Sequence, residues 1–156
     1  MIELSHSVLV NDRTDPRAPV LTRDDVWDGL VMKAENALPF VPKMDKCDVV
    51  EQRRNYILRD IRFAGDDLRE AVTLMPKTKV EFRRVRGRVL GVITNEILEN
   101  PDGELELKFS FALEIEGAEP GSREEREYEA TMRDAYLGAV VATLGAIRKM
   151  AMQRAG

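Results

Sequence analysis

Residues Glu104–Glu116, "ELELKFSFALEIE", decide the fold. Leu105, Leu107, Phe109, Phe111, Leu113 and Ile115 alternate with Glu104, Glu106, Lys108, Ser110, Ala112, Glu114 and Glu116. Successive side chains of a strand point to opposite faces. This stretch therefore predicts an antiparallel strand with one apolar and one wet face. Just upstream, "NPDG" (Asn100–Gly103) reads as a type I turn with Gly103 left-handed, which pairs Asn100 with Glu104. Directly opposed residues share a face. Leu107 then opposes Ile97, Phe109 opposes Asn95, Phe111 opposes Ile93, and Leu113 opposes Gly91. A two-residue loop at Arg86 and Gly87 sets Arg84 opposite Val89 and Phe82 opposite Gly91. Across "PKT" (Pro76–Thr78) the apolar phase turns Leu74, Val72, Glu70 and Leu68 inward. A two-residue loop at Gly65 and Asp66 sets Ile61 opposite Glu70 and Arg59 opposite Val72.

Upstream of these strands, Ile2, Leu4, His6, Val8 and Val10 form another alternating face, and the chain's single histidine belongs to it. A turn-rich stretch with two prolines, "NDRTDPRAPV", follows. "LTRDDVWDGLVMKAENA" (Leu21–Ala37) predicts a helix. Thr22 is its cap, Asp24 and Asp25 suit its positive first turn, and Val26, Trp27, Leu30, Val31 and Ala34 form its buried stripe. Pro39 and Pro42 end it in a short helical connector. Residues 45 to 116 supply about six strands. After "GAEPGS", residues Arg123–Arg154 repeat apolar positions every three and four: Tyr128, Met132, Ala135, Tyr136, Ala139, Val140, Thr143, Ile147 and Met150. Ser122 and Glu125 fit a capping box. At 1.5 Å per residue this helix is about 45 Å long, enough to cross a whole sheet. Its Ala- and Gly-rich side, "AYLGAVVATLGA", allows close approach. The expected fold is α+β, a seven-stranded curved antiparallel sheet gripping a long C-terminal helix. It forms one domain over residues 1–156, with an internal cavity. No repeat or second-domain linker is visible.

The predicted inner face is Ile, Leu, Val and Phe, interrupted by His6, Arg59, Glu70, Arg84 and Asn95. Glu70 lies across from Arg84 and diagonal to Arg59. A buried charge must be paired or solvated, so the cluster suits a wet cavity better than a dry core.

The bulk composition limits the functional classes. Of 156 residues, 44% are hydrophobic and 33% charged, with 24 basic and 28 acidic side chains and a net charge of -4. That balance argues against a nucleic-acid coat. No apolar run approaches the ~20 residues of a bilayer span, and "MIELSHSVLV" lacks the features of a secretory signal. A cytoplasmic protein is expected, without nucleic-acid or membrane partners. Cys47 has no intrachain disulfide partner, and one thiol with one imidazole makes a Cys/His metal site improbable. In the alternation "CDVVEQ" Cys47 reads as a buried structural thiol. No phosphate-binding loop, "GxSxG", "HExxH" or calcium loop is present, and no cofactor is implied. "RRVRGR" (Arg83–Arg88) is the one dense basic run. Around a hairpin tip its side chains alternate between faces, which favours a solvated turn over a nucleic-acid patch.

"SHSVLVND", "APVLTRDDVWDGLVMKAENALPFVP" and "ENPDGELELKFSF", followed by the long final helix, resemble the AtaL-like family. That family sits within the START-like (SRPBCC) superfamily, the helix-grip fold shared with the birch-pollen allergen and aromatic polyketide cyclases. The resemblance covers nearly the whole chain, most closely at "VND" and "PVL…VWDGLV". It implies a cavity between sheet and long helix for an apolar or aromatic small molecule. It carries no agreed catalytic motif, and fold alone does not set activity.

Each candidate residue has two readings. His6 is a general acid or base with Glu70 or water as partner, or a hydrogen-bonded core histidine. Arg59, Glu70 and Arg84 clamp an anionic or carbonyl-bearing ligand, or form an internal ion pair. Asn95 donates to a ligand carbonyl or satisfies one of those charges. Tyr128 and Tyr136 offer hydroxyls to the cavity, or pack with wet tips. Trp27 and Phe40 close the mouth or anchor the core. Phe82, Phe109 and Phe111 line the apolar wall, and Met32, Met132 and Met150 add an adaptable surface. Three functional expectations result. One is a cofactor-independent cyclase or dehydratase acting on an oxygenated apolar, polyketide-like substrate. The second is a carrier or sensor without catalysis. The third is an interaction module or homodimer with a filled cavity, using outward-facing Leu90, Val92 and Leu98.

Overall fold

The turn at Asn100–Gly103 forms as the sequence predicts. Gly103 donates to the Asn100 carbonyl, and Asn100 donates to the Glu104 carbonyl. It joins β6 (Val89–Glu99) to β7 (Leu105–Ile115) in the expected register, with Leu107 opposite Ile97 and Phe109 opposite Asn95. The computed structural model describes residues 1–11 and 14–155, without the side chains of Arg154 and Ala155. Asp12, the end of "VND", lies outside the described residues.

The described residues form nine elements: β1 (Ile2–Leu9), α1 (Arg23–Glu35), β2 (Met44–Arg53), β3 (Tyr56–Phe63), β4 (Asp66–Met75), β5 (Lys79–Arg86), β6, β7 and α2 (Arg123–Ala155). The strands form one open antiparallel sheet in the order β1-β7-β6-β5-β4-β3-β2. It packs on α2, which is the helix-grip arrangement.

Two hairpins differ from the expected register by one loop position. Between β3 and β4 the loop is Ala64 and Gly65, both left-handed with φ of 49° and 85°, as a type I′ turn requires. Arg59 therefore opposes Glu70, and Ile57 opposes Val72. Between β5 and β6, Arg84 opposes Gly91 and Phe82 opposes Ile93. Sliding a two-residue loop by one position shifts the pairing by two, so every side chain keeps its face. Gly91, with φ of 139°, brings β6 close to the Ala112–Leu113 backbone and places no side chain beside Arg84.

The capping box of Thr22 and Asp25 starts α1 as expected. Its buried face is Val26, Gly29, Leu30, Lys33 and Ala34. Trp27 and Val31 are only half-buried, and Lys33 replaces them in the stripe. A Cβ at Gly29 would collide with Ile147, so glycine is what lets α1 lie directly on α2. At the start of α2, Ser122 accepts from the Glu125 amide. Glu125 reaches back to the amide of Gly121 rather than that of Ser122. By length and hydropathy alone α2 would also pass for a membrane span, but Met132, Ala135, Tyr136, Val140, Leu144 and Ile147 are buried in the core. Cys47, on edge strand β2, is half-buried rather than sealed. On the outer face Leu90 is exposed, whereas Val92 and Leu98 are half-buried.

Candidate functional site

The polar interruptions of the inner face sit on four adjacent central strands. Arg59 (β3), Glu70 (β4), Arg84 (β5) and Asn95 (β6) are all 3% exposed or less. Direct pairing in the ladder puts Glu70 between the two arginines.

The two arginines are held differently. Arg59 donates from Nε and Nη2 to Glu70 Oε1, at 3.0 and 2.8 Å. Its Nη1 donates to the Lys33 and Ala34 carbonyls, both at 2.9 Å. These carbonyls belong to the last turn of α1, which has no intrahelical partners for them and carries partial negative charge. Arg59 thus ties α1 to the sheet and leaves little for a ligand. Arg84 has Nε 3.6 Å from Glu70 Oε2, beyond hydrogen-bond range. Its Nε and Nη1 are buried without a protein acceptor, and its guanidinium stacks 5.1 Å from the Phe63 ring. Burial works to raise the Glu70 pKa, but Arg59 and Arg84 outweigh it and hold the carboxyl below its usual range. Glu70 is thus held as a carboxylate between the two guanidiniums.

A residue the sequence reading overlooked completes the cluster. Lys33 projects from α1, 5% exposed, and donates from Nζ to Asn95 Oδ1 at 2.7 Å. Its ammonium faces the rings of Phe109 (4.7 Å) and Phe82 (5.5 Å). Burial first, and the Arg59 charge second, bring its pKa down to about 7, against a smaller opposing pull from Glu70. The signal was periodicity: Lys33 stands seven residues after Val26 and three after Leu30, on the buried side.

These groups line one cavity between sheet and α2, closed by Phe63, Phe82, Phe109, Phe111, Met132 and Tyr136 among others. Its free volume is about 60 Å³, enough for a few waters at roughly 10–15 Å³ each. Tyr136 meets Phe109 and Phe111 edge-on. Its hydroxyl is buried, which raises its pKa against a smaller pull from the His6 backbone, and Asn95 Nδ2 is buried without a hydrogen-bond partner. The cavity gathers one carboxylate against two guanidiniums and an amine. The arrangement can bind and stabilise negative charge on a ligand oxygen.

Of the expected site residues, Arg59, Glu70, Arg84, Asn95, Phe82, Phe109, Phe111 and Tyr136 line this cavity. Three do not. His6 is on the inner face, opposite Phe109, but β1 is an edge strand and the ring is exposed. It lies four strands from Glu70, roughly 19 Å along the sheet, so the expected His6–Glu70 pair does not exist. Trp27 is half-buried and packs on the core. Tyr128 has a buried, unpartnered hydroxyl near Arg84, outside the cavity lining. In the basic run, Arg84 turns inward, whereas Arg83 pairs with Glu81 and Arg88 with Asp66 and Glu124.

The family described as "Acetylaranotin biosynthesis cluster protein L" (AtaL) matches residues 6–154. No curated protein matches the sequence. Among solved structures, the Zhui aromatase/cyclase from Streptomyces sp. R1128 superposes with a TM-score of 0.68 at 18% identity, covering 93% of this chain and 92% of that one. The di-domain ARO/CYC StfQ of the steffimycin biosynthetic pathway also gives 0.68, at 13% identity, over 99% of this chain and 52% of that one. A START superfamily protein from Mycobacterium smegmatis gives 0.66 at 12% identity, over 96% and 99%. At these identities the likeness establishes the fold.

Proposed function

This chain belongs to the AtaL family, and from that premise we propose that it binds a small, largely apolar molecule by an oxygen carrying or developing negative charge. The observation behind this reading is Arg84, a sealed cation with two unengaged donors in an aromatic cavity. A ligand carbonyl, enolate or carboxylate oxygen accepts from Arg84 and from Asn95 Nδ2. Its carbon skeleton packs on Phe82, Phe109, Phe111 and Tyr136. Donors fixed in a low-dielectric site stabilise an enolate without reorganising, which is the step a cyclase- or dehydratase-like reaction needs. The aromatase/cyclase neighbours support this chemistry class.

The cavity's volume of about 60 Å³ is well below the roughly 300–1,000 Å³ of drug-sized sites. A fused-ring substrate would enter only if the cavity walls moved apart. A small ligand, or the oxygenated head of a larger one, fits as the walls stand. The volume also favours a second reading, a carrier or sensor that holds such a head group without converting it. We place the protein in the cytoplasm, with a small molecule as its partner and no nucleic acid or membrane. Self-association through the Leu90 face is a separate proposal.

Native mass spectrometry of the protein from its own host, followed by solvent extraction, tests the reading. An oxygenated small molecule should travel with the wild type and with His6→Ala, and be lost with Arg84→Met. A wild type that carries nothing and takes up no anionic or carbonyl ligand contradicts it. A product distinct from the added molecule separates enzyme from carrier.

A further inference from the structure

Lys33 is the one buried lysine among the described residues and has no role in the oxygen-binding scheme above. Its amine opens on the same cavity as Arg59, Glu70, Arg84, Asn95 and Tyr136. Among the described residues no carboxylate pairs with it: its hydrogen-bond partner is the neutral Asn95 amide, and Glu70 is bound by Arg59. The remaining charge count also selects a ligand. Arg59 and Glu70 cancel, leaving Arg84 unbalanced beside an amine, so a single carboxylate on the ligand completes the site.

We propose that Lys33 is an amine nucleophile that forms a reversible imine with the carbonyl of a small oxo acid whose carboxylate is held by Arg84. The Nζ lone pair attacks the carbonyl carbon and a C–N bond forms. The carbonyl oxygen leaves as water with the two protons that were on the amine. Nothing is oxidised or reduced. The inference rests on the oxygen-binding reading of the cavity and adds a covalent step to it. A pKa near 7 leaves about half the amine neutral at neutral pH, where an ordinary lysine is almost wholly protonated. The surroundings agree: the amine is buried and the Arg59 charge disfavours an ammonium, against a smaller opposing pull from Glu70.

The test uses the full chain with pyruvate as probe and cyanoborohydride to reduce any imine, followed by peptide mass spectrometry. The expected result is one carboxyethyl group on Lys33, formed at pH 7 at least about tenfold faster than on any of the other six lysines. Its rate should level above pH 7, while surface labelling keeps climbing. Arg84→Met should cut labelling by pyruvate about tenfold and leave labelling by acetone nearly unchanged. Lys33→Met, an apolar swap of similar length, should fold and lose the label. Thermal shift with pyruvate alone is read in parallel. Stabilisation without an adduct overturns the imine and leaves the oxygen-binding reading standing. No stabilisation and no adduct overturns both. Labelling of Lys33 equally by pyruvate and acetone, indifferent to Arg84, overturns the oxo-acid assignment.

Discussion

The centre of the sheet and its β1 edge carry the same pattern and have different fates. On β3 to β6 the polar interruptions of the inner face are covered by α1 and α2. On β1 the equivalent interruption, His6, stays in water. Alternation tells which face a side chain takes. Whether that face is covered depends on the neighbours that seal it: α2 also packs on β1, yet His6 on this edge strand stays exposed. The central groups are therefore costly to disturb and the edge group is not.

The largest effect should come from Glu70. Glu70→Gln leaves Arg59 and Arg84 as buried cations without an anion, which costs about 3–5 kcal/mol in a urea melt. Arg59→Met should follow at about 3 kcal/mol, since it frees both Glu70 and two carbonyls at the end of α1. Arg84→Met should cost less, because its removal leaves Glu70 paired with Arg59, and should act mainly on ligand binding. His6→Ala should shift stability by no more than about 0.5 kcal/mol. If His6→Ala matched Arg59→Met, the contrast between centre and edge would fail.

The pH dependence sharpens the same comparison. Lys33 has a folded pKa of about 7, below its ordinary 10.5. Between these values the unfolded chain binds a proton that the folded chain does not, so stability rises with pH across that window. A shift of this size corresponds to about 4–5 kcal/mol in full. Above pH 10 the raised tyrosine pKa values of Tyr136 and Tyr128 pull the other way. The rise should therefore be clear from pH 7 to about 9.5, and Lys33→Met should abolish it. Glu70 acts at the acid end. Its lowered pKa gives stability above the ordinary carboxyl range that is lost as pH falls through the folded value. Chemical denaturation at a series of pH values checks both arms. Between the central charges and His6 stands Gly29, where Gly29→Ala must displace Ile147 and should cost about 1–3 kcal/mol.

The strand order and the inward set on β3 to β7 were legible because hydrophobic alternation fixes the face even when a loop is misplaced by one residue. Arg59, Glu70, Arg84 and Asn95 were found that way. The difference between the two arginines was not legible. It depends on α1 ending where its Lys33 and Ala34 carbonyls meet Arg59, a tertiary coincidence with no local signal. Lys33 was legible in principle, but a lysine on an apolar face reads as a surface residue whose stem snorkels. The inward face of His6 was legible, but its exposure was not, because an edge position is decided by strand pairing that its own neighbours in sequence do not report.

The most direct test of the central claim is ligand-dependent stabilisation with small carboxylates, acetoacetate and benzoate, measured on the wild type, Arg84→Met and His6→Ala. The melting temperature should rise in the wild type, the rise being retained in His6→Ala and lost in Arg84→Met. Loss in His6→Ala with retention in Arg84→Met would contradict it and move the site to the sheet edge.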